Sequence, residues 1–157
     1  MGAVSILPVT PERFADLVAL IDMLAEYENL QPPSLEARAR LLNDICGPAP
    51  RIEAVLAVDD ADMACGYAIT LETYSSFLAL PTMYLEDIFV REDARSRGVG
   101  SALFDHVVQT ARNRGCGRVD WQVLDWNKLA RDFYERRGAT FMNEWMLYRI
   151  DLTASSE

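Results

Sequence analysis

The chain switches repeatedly between two spacings of hydrophobic residues, one typical of helices and one typical of strands. Apolar side chains that recur every three or four residues predict an amphipathic helix, and short apolar or alternating runs between turn residues predict a strand. The helical spacing covers residues 10–25, 35–43, 98–114 and 128–137. The strand-like runs cover residues 4–8, 52–58, 65–74, 83–90, 119–124 and 145–152. The resulting order β-α-α-β-β-β-α-β-α-β predicts an α/β (α+β) fold with a mixed central sheet flanked by helices.

Turn and capping residues mark several of these boundaries. Thr10 followed by Pro11 is typical of a helix start, with threonine as the N-cap and proline at the first helical position. The polar run 59–62 lies between two strand-like segments and predicts an antiparallel hairpin. Asn127 and Gly138 are expected to cap and terminate the last helix. The strand, helix and strand around residues 95–101 are expected to form a parallel, right-handed unit.

Length and composition favour one domain. The chain has 157 residues, of which 50% are hydrophobic, which is enough for one well-filled core and too little for two ordinary domains. We therefore expect a single domain over residues 1–157, with an ordered core from about residue 3 to about residue 152. No apolar stretch approaches the roughly 20 residues that span a bilayer, and the N-terminus has neither a basic lead nor a long apolar core. A cytoplasmic protein without a membrane segment is expected.

The cysteines, the single histidine and the net charge disfavour three functional features: a metal site, a histidine base and a nucleic-acid partner. Cys46, Cys65 and Cys116 lie far apart without a C-x-x-C pair, which predicts free thiols in a reducing compartment and no metal site. The single histidine, His106, falls inside the third predicted helix and is not expected to act as a base. A formal net charge of −9 disfavours nucleic acid as a partner. The acidity suits a cationic small substrate, but solubility alone is the simpler explanation for most of it.

The segment from Arg95 to Ser101, R-S-R-G-V-G-S, connects a strand-like run to a helix. Glycine lets the backbone approach an anion closely, and the N–H groups at a helix start point at that anion with the positive end of the helix dipole behind them. The pattern R-x-x-G-x-G is neither a Walker loop nor the dinucleotide fingerprint. It predicts a phosphate-binding turn, with an ordinary strand-to-helix connection as the alternative.

This turn resembles the pyrophosphate-binding turn of the GNAT superfamily of N-acetyltransferases. The similarity extends to Y-L-E-D-I-F-V from Tyr84, V-L-D-W-N from Val123 and D-F-Y-E-R-R-G-A from Asp132, and it includes L-A-E-Y-E from Leu24. These segments are most similar to the diamine (spermidine/spermine) and thialysine acetyltransferase branch, and W-N followed by F-Y-x-x-x-G-A is the most specific part. The resemblance implies the GNAT fold, acetyl-coenzyme A as the acetyl donor and no metal ion.

The resemblance also implies a coenzyme site that runs along one strand, the turn and the last helix. The backbone of residues 88–90 would pair with the amides of the pantetheine arm, much as another strand would. Asn127 would bind the same arm, and this role can coexist with helix capping. The implied coenzyme-binding residues are Ile88, Phe89, Val90, Arg95, Ser96, Arg97, Gly98, Val99, Gly100, Ser101, Asn127, Ala130 and Tyr134. Ser96 departs from the family, in which glycine usually follows the leading arginine.

Acetyl transfer to an amine requires two proton transfers. An alkylammonium acceptor has a pKa of about 10.4 and must lose a proton before it attacks. By resemblance, Glu86 is the base that acts through water. Strand alternation places Asp87 on the opposite face unless a bulge intervenes, and its role is either substrate contact or purely structural. Tyr134 matches the family tyrosine that protonates the departing thiolate, since a tyrosine with a pKa near 10 keeps its proton at neutral pH.

Carboxylates and aromatic residues on the acceptor side suit a cation. The positions that match the family are Tyr27, Glu28, Glu86, Asp87, Asp120, Trp121, Gln122 and Glu144. The expected activity is direct acetyl transfer to a primary amine of a small cationic metabolite, such as a polyamine, thialysine or a related diamino compound. Acetylation of a peptide or protein, and acyl-coenzyme A binding without turnover, are the alternatives. The resemblance further implies a homodimer.

Overall fold

The computed structural model describes residues 4–153. It divides the chain into two compact units, one up to Gln122 and one from Val123 onward. Among the described residues, the first unit contains a five-stranded sheet and three α-helices, and the second contains one α-helix.

The sheet belongs to the first unit. Its strands are β1 (Ser5–Pro8), β2 (Glu53–Val58), β3 (Ala64–Ser75), β4 (Leu80–Val90) and β5 (Arg118–Trp121). The helices are α1 (Phe14–Tyr27), α2 (Leu35–Cys46) and α3 (Val99–Asn113), with α4 (Lys128–Arg136) in the second unit. The first four strands pair antiparallel in chain order, and β5 pairs parallel to β4. The predicted mixed sheet, the hairpin of β2 and β3, and the parallel pairing around the glycine-containing turn are therefore confirmed.

Alternation along β3 shows which helix covers each face of the sheet. Tyr67 and Ile69 belong to the buried core that includes Leu17 and Leu20 of α1. Gly66 faces the other way, because a side-chain carbon built there would lie 3.1 Å from Leu103 of α3. Successive strand residues point to opposite faces, so α1 and α3 cover opposite faces of the sheet.

Helix starts follow local signals, with one correction. Ser34 accepts a hydrogen bond from the N–H of Ala37 at 3.2 Å and begins α2. Thr10 was expected to cap an α-helix, but its side chain makes no capping hydrogen bond, and a 3₁₀ turn over Pro11–Arg13 precedes α1. The reason is that the N–H of Arg13, which a threonine cap would bind, instead donates to the backbone carbonyl of Thr10 at 3.0 Å.

The predicted strand at residues 145–152 is wrong, and β5 ends earlier than expected. Residues 145–152 have no strand conformation, and their apolar side chains are exposed, Ile150 at 87% and Leu152 at 93%. A strand needs a neighbour that pairs with its backbone groups. In the described chain no strand pairs with this segment, so the alternating pattern remains without the partner that it requires.

The three cysteines, Cys46, Cys65 and Cys116, are free thiols, and burial raises the pKa of each. Within residues 4–153, no helix combines the length and the apolar character needed to cross a bilayer. The same residues contain no group of three or more side chains that could hold a metal ion.

Candidate functional site

The glycine-containing turn leaves the start of α3 accessible. Gly98 is the residue before the helix, with a φ of +83°, and a side-chain carbon there would meet nothing within 4 Å. Gly98 has no side chain with which to cap this helix, and the first N–H groups of any α-helix have no partner within the helix. Arg97 is exposed beside them. The geometry fits a phosphate group at the helix N-terminus.

Ser96 has a backbone conformation that favours glycine, the residue that the family usually has at this position. Its φ of +60° lies in the left-handed region, where a residue with a side chain costs roughly 1 kcal/mol more than glycine does. The chain therefore keeps the path of the turn at the cost of a small backbone strain, and Ser96 is exposed.

Arg95 is directed away from the turn toward the end of α1. Its Nε donates to the carbonyl of Val90 at 3.1 Å. Its guanidinium carbon lies 5.1 Å from the centre of the Tyr27 ring and 5.8 Å from that of Phe89, both within cation–π range. Arg97 is thus the better placed of the two predicted cations to meet a phosphate, whereas the Arg95 guanidinium lies against the ring of Tyr27.

The two adjacent acidic residues of β4, Glu86 and Asp87, lie at a β-bulge. Ile69 pairs with Asp87, and the next residue of β3, Thr70, pairs with Leu85, so Glu86 is an extra residue in the strand. A bulge shifts the alternation of side chains. Asp87 therefore lies on the α1 face with Ile69, and Leu85 lies on the α3 face with Thr70. Glu86 is exposed, so the two carboxylates have different surroundings.

β4 has a neighbour on only one side beyond this bulge. Its pairing with β5 ends where Leu85 meets Trp121, whereas its pairing with β3 continues to Val90. No described strand covers the other edge of residues 86–90. An exposed strand edge can pair with an extended chain of amides, which is the geometry expected for the pantetheine arm.

Glu28, Tyr67 and Asp87 form a group on the α1 face that we call the acidic cluster. The Tyr67 hydroxyl donates to Oδ2 of Asp87 at 3.3 Å. Burial, reinforced by the charge of Glu86, raises the pKa of Asp87 to about 6, and the Tyr67 hydrogen bond acts in the opposite direction. The charge of Glu28 also raises the pKa of Asp87, and burial raises the pKa of Glu28 itself. The cluster therefore carries negative charge that the protein neutralises poorly.

The predicted acceptor-side residues of β5 lie on different faces of the sheet. Asp120 pairs with Tyr84, which itself pairs with Leu71, two residues along β3 from Ile69, so both lie on the α1 face. Burial, and then the charges of Glu86 and Asp120, raise the pKa of Tyr84. Trp121 lies on the other face, with its ring edge against Phe104 of α3 at 5.4 Å between centres.

The second unit contains three of the predicted coenzyme residues, Asn127, Ala130 and Tyr134, at the start of α4 and within it. Asn127 Oδ1 accepts a hydrogen bond from the N–H of Ala130 at 3.1 Å, so its predicted capping role is confirmed. Tyr134 is buried, and its ring lies edge-to-face with Phe133 at 5.4 Å. Burial raises the pKa of Tyr134 to about 12, so its phenol stays protonated throughout the neutral range. Glu144 is exposed in the segment that follows α4.

The first unit brings Tyr27, Glu28 and Asp87 to the α1 face and leaves Gln122 exposed at the end of β5. Two residues of this face, Tyr67 and Tyr84, were missed from the sequence. Both tyrosines lie within apolar strand-like runs, in which an aromatic residue is expected to pack in the core. The bulge that places Tyr67 beside Asp87 has no local sequence signal.

Known proteins of similar sequence and fold identify the family of this chain. The model of the acetyltransferase (GNAT) family matches residues 17–139. A thialysine N-epsilon-acetyltransferase of Bos taurus is 31% identical over 152 residues, which cover 90% of this chain and 89% of that protein. An L-ornithine N5-acetyltransferase of Arabidopsis thaliana is 43% identical over 88 residues, 56% of this chain and 39% of that longer protein. The crystal structure of a probable acetyltransferase has the same fold, with a TM-score of 0.83 and 24% identity over 96% of this chain and 99% of that one. The chain belongs to the GNAT acetyltransferase family and is an acetyl-coenzyme A-dependent N-acetyltransferase.

Proposed function

We propose that this enzyme acetylates a primary amine of a small cationic diamino metabolite, such as thialysine, ornithine or a polyamine. The observation that carries the proposal is the position of the acidic cluster next to the bulge in β4, where no strand within residues 4–153 pairs with one edge of β4. A carboxylate in that place attracts an ammonium group. The names of the two relatives support a diamino substrate, because thialysine and ornithine each carry two amino groups.

The proposed coenzyme site uses backbone more than side chains. The open edge of residues 88–90 pairs with the pantetheine arm, and the turn from Ser96 to Ser101 receives the pyrophosphate, with Arg97 as its cation. For Asn127 and Ala130 of the second unit, the family resemblance supports the coenzyme role, and the hydrogen bond between them is the cap of α4. Acetyl-coenzyme A supplies the activated acetyl group when bound.

The proposed proton transfers use Glu86 and Tyr134. Glu86 takes a proton from the amine through water, and the amine nitrogen then forms its bond to the acetyl carbon as the carbon–sulfur bond breaks. Tyr134 donates a hydrogen bond to the sulfur that departs. An ammonium acceptor therefore loses two protons: Glu86 passes the first to solvent, and the second, which leaves the nitrogen as the amide forms, reaches the coenzyme A sulfur. Neither residue is changed over a complete cycle.

Replacing Glu86 by glutamine tests the base. The amide keeps the size of the side chain but cannot take a proton, so we expect kcat to fall by roughly a hundredfold while the Kd of acetyl-coenzyme A stays unchanged. Glu92→Gln is the control, because Glu92 is an exposed glutamate just beyond the same strand. Steady-state kinetics decide the role: an unchanged kcat with a raised KM for the amine would make Glu86 a binding group instead of a base.

The homodimer and the cytoplasmic location are part of the same proposal. Exposed apolar side chains between Trp145 and Ile150 support a second copy as a partner. Free cysteines support a reducing compartment.

A further inference from the structure

The fully buried Tyr67 of β3 contains a polar group that the proposed chemistry does not use. Its relative exposure is 0%, and its ring lies 6.4 Å from that of Phe89 within the core. Phenylalanine would fill the same space. The hydroxyl instead reaches Asp87, at 3.3 Å from Oδ2.

The contact exists only because of the bulge in β4. In a strand with regular alternation, Asp87 would share a face with Leu85, two residues earlier, and point toward α3. With the bulge, Asp87 lies on the face that carries Tyr67, and its pair with Ile69 is two pairs along the ladder from the pair of Tyr67 with Phe89. The fold thus places a carboxylate against a buried phenol next to the open strand edge.

The groups that face Asp87 leave its charge mostly uncompensated. Tyr67 of β3 donates the one hydrogen bond that Asp87 accepts from side chains within residues 4–153. The negative charges of Glu28, at the end of α1, and of Glu86, on the same strand as Asp87, both disfavour ionisation of Asp87. The cation on that side, Arg95, donates its hydrogen bond to the Val90 carbonyl. An ionised carboxylate can accept about four hydrogen bonds, so Asp87 retains most of its capacity for a ligand.

We propose that Tyr67 is a positioning residue, whose hydroxyl holds the Asp87 carboxylate on the α1 face as the anionic contact for the acceptor's ammonium group. The inference rests on the proposed amine acetyltransferase function. Tyr67 acts through Asp87, and its own phenol stays protonated because burial raises its pKa. It is therefore a permanent donor, which stabilises the ionised form of Asp87 against the effect of burial.

Tyr67→Phe tests this role, with Tyr74→Phe as the matched control on the same strand, since Tyr74 is 67% exposed. Carbon-13 NMR of the Asp87 carboxyl follows its titration without any substrate. We expect a midpoint near pH 6 in the wild type and an upward move of about half a pH unit or more in Tyr67→Phe, because a hydrogen bond to the ionised form is lost. Tyr74→Phe should keep the wild-type midpoint.

The pH dependence of KM distinguishes this role from a purely structural one, because loss of a purely structural tyrosine would not change it. The KM for the amine should rise as Asp87 gains its proton, so at pH 6 the KM of Tyr67→Phe should be about twofold to fivefold above that of the wild type, whereas kcat at pH 8 should match it. In an Asp87→Asn background, Tyr67→Phe should leave the pH dependence of KM unchanged, because no carboxylate remains at position 87 for the Tyr67 hydroxyl to stabilise. A change in this background would instead indicate that Tyr67→Phe disturbs the fold.

The proposal is overturned if Tyr67→Phe titrates like the wild type, or if Tyr74→Phe shows the same displacement. These results differ from a failure of the proposed function. If the wild type acetylates amines but Tyr67→Phe keeps the wild-type pH profile, only the inference fails. If the wild type acetylates no small amine, the proposed function fails and the role of Asp87 as a substrate contact fails with it.

Discussion

Tyr134→Phe should lower kcat by about a hundredfold or more while the Kd of acetyl-coenzyme A stays close to that of the wild type. The substitution removes one oxygen and keeps the ring, which is buried and in contact with Phe133. Complete proton transfer from a phenol with a pKa of about 12 to a thiolate whose acid has a pKa near 8.5 is uphill by about 5 kcal/mol. Tyr134 is therefore expected to act mainly as a hydrogen-bond donor to the negative charge that develops on sulfur.

Tyr148→Phe is the matched control, because this tyrosine in the segment after α4 is 86% exposed. Rapid-quench measurement of a single turnover separates the chemical step from product release. The raised pKa of Tyr134 also predicts that its deprotonation causes no loss of activity below about pH 11. Wild-type kcat in Tyr134→Phe would exclude the phenol from the chemistry and leave it a packing residue.

Asp87→Asn should stabilise the folded protein at pH 8 and weaken amine binding at the same time. The folded pKa of Asp87, about 6, lies above the ordinary value of 3.8. A raised folded pKa means that the folded state holds the proton more tightly, so the free energy of unfolding falls as the pH rises from about 4 to about 6 and then levels off. Two pKa units correspond to roughly 3 kcal/mol. Asparagine removes this penalty, and a gain on the order of 2 kcal/mol is expected at pH 8.

Urea unfolding at pH 4 and at pH 8 measures this gain, which should nearly vanish at the lower pH. The KM for the amine should rise about tenfold or more at pH 8, since a hydrogen bond to a charged group is lost. Asp60→Asn, in the exposed turn between β2 and β3, should change neither quantity. Equal destabilisation of Asp87→Asn at both pH values would identify Asp87 as a purely structural carboxylate.

The parts of this fold that depend on neighbouring residues could be predicted from the sequence. Asn127 begins α4 with the hydrogen bond that its side chain predicts, and Gly138, with a φ of +85°, follows the end of that helix. The glycine-containing turn precedes α3 as expected, because Gly98 adopts a positive φ that glycine accepts without strain. Each of these features is decided within a few residues of the chain.

Features that depend on distant partners could not be predicted. The bulge at Glu86 is a property of the register between β3 and β4, and alternation within one strand carries no information about it. The contacts of Arg95 are a second example, because its guanidinium lies over the ring of Tyr27, which comes from the end of α1. Residues 145–152 have a strand-like pattern but no strand conformation, because pattern alone does not supply a pairing partner.

The measurement that tests the central claim most directly is release of the coenzyme A thiol from acetyl-coenzyme A in the presence of candidate acceptors. The panel contains thialysine, ornithine, lysine, spermidine, putrescine, small aminophosphonates and several peptides. The account predicts release well above background hydrolysis with at least one diamino compound, and slower release when the second amino group is absent. Tight coenzyme binding with no release for any small amine would contradict it, and would favour a peptide substrate or a binding role without turnover.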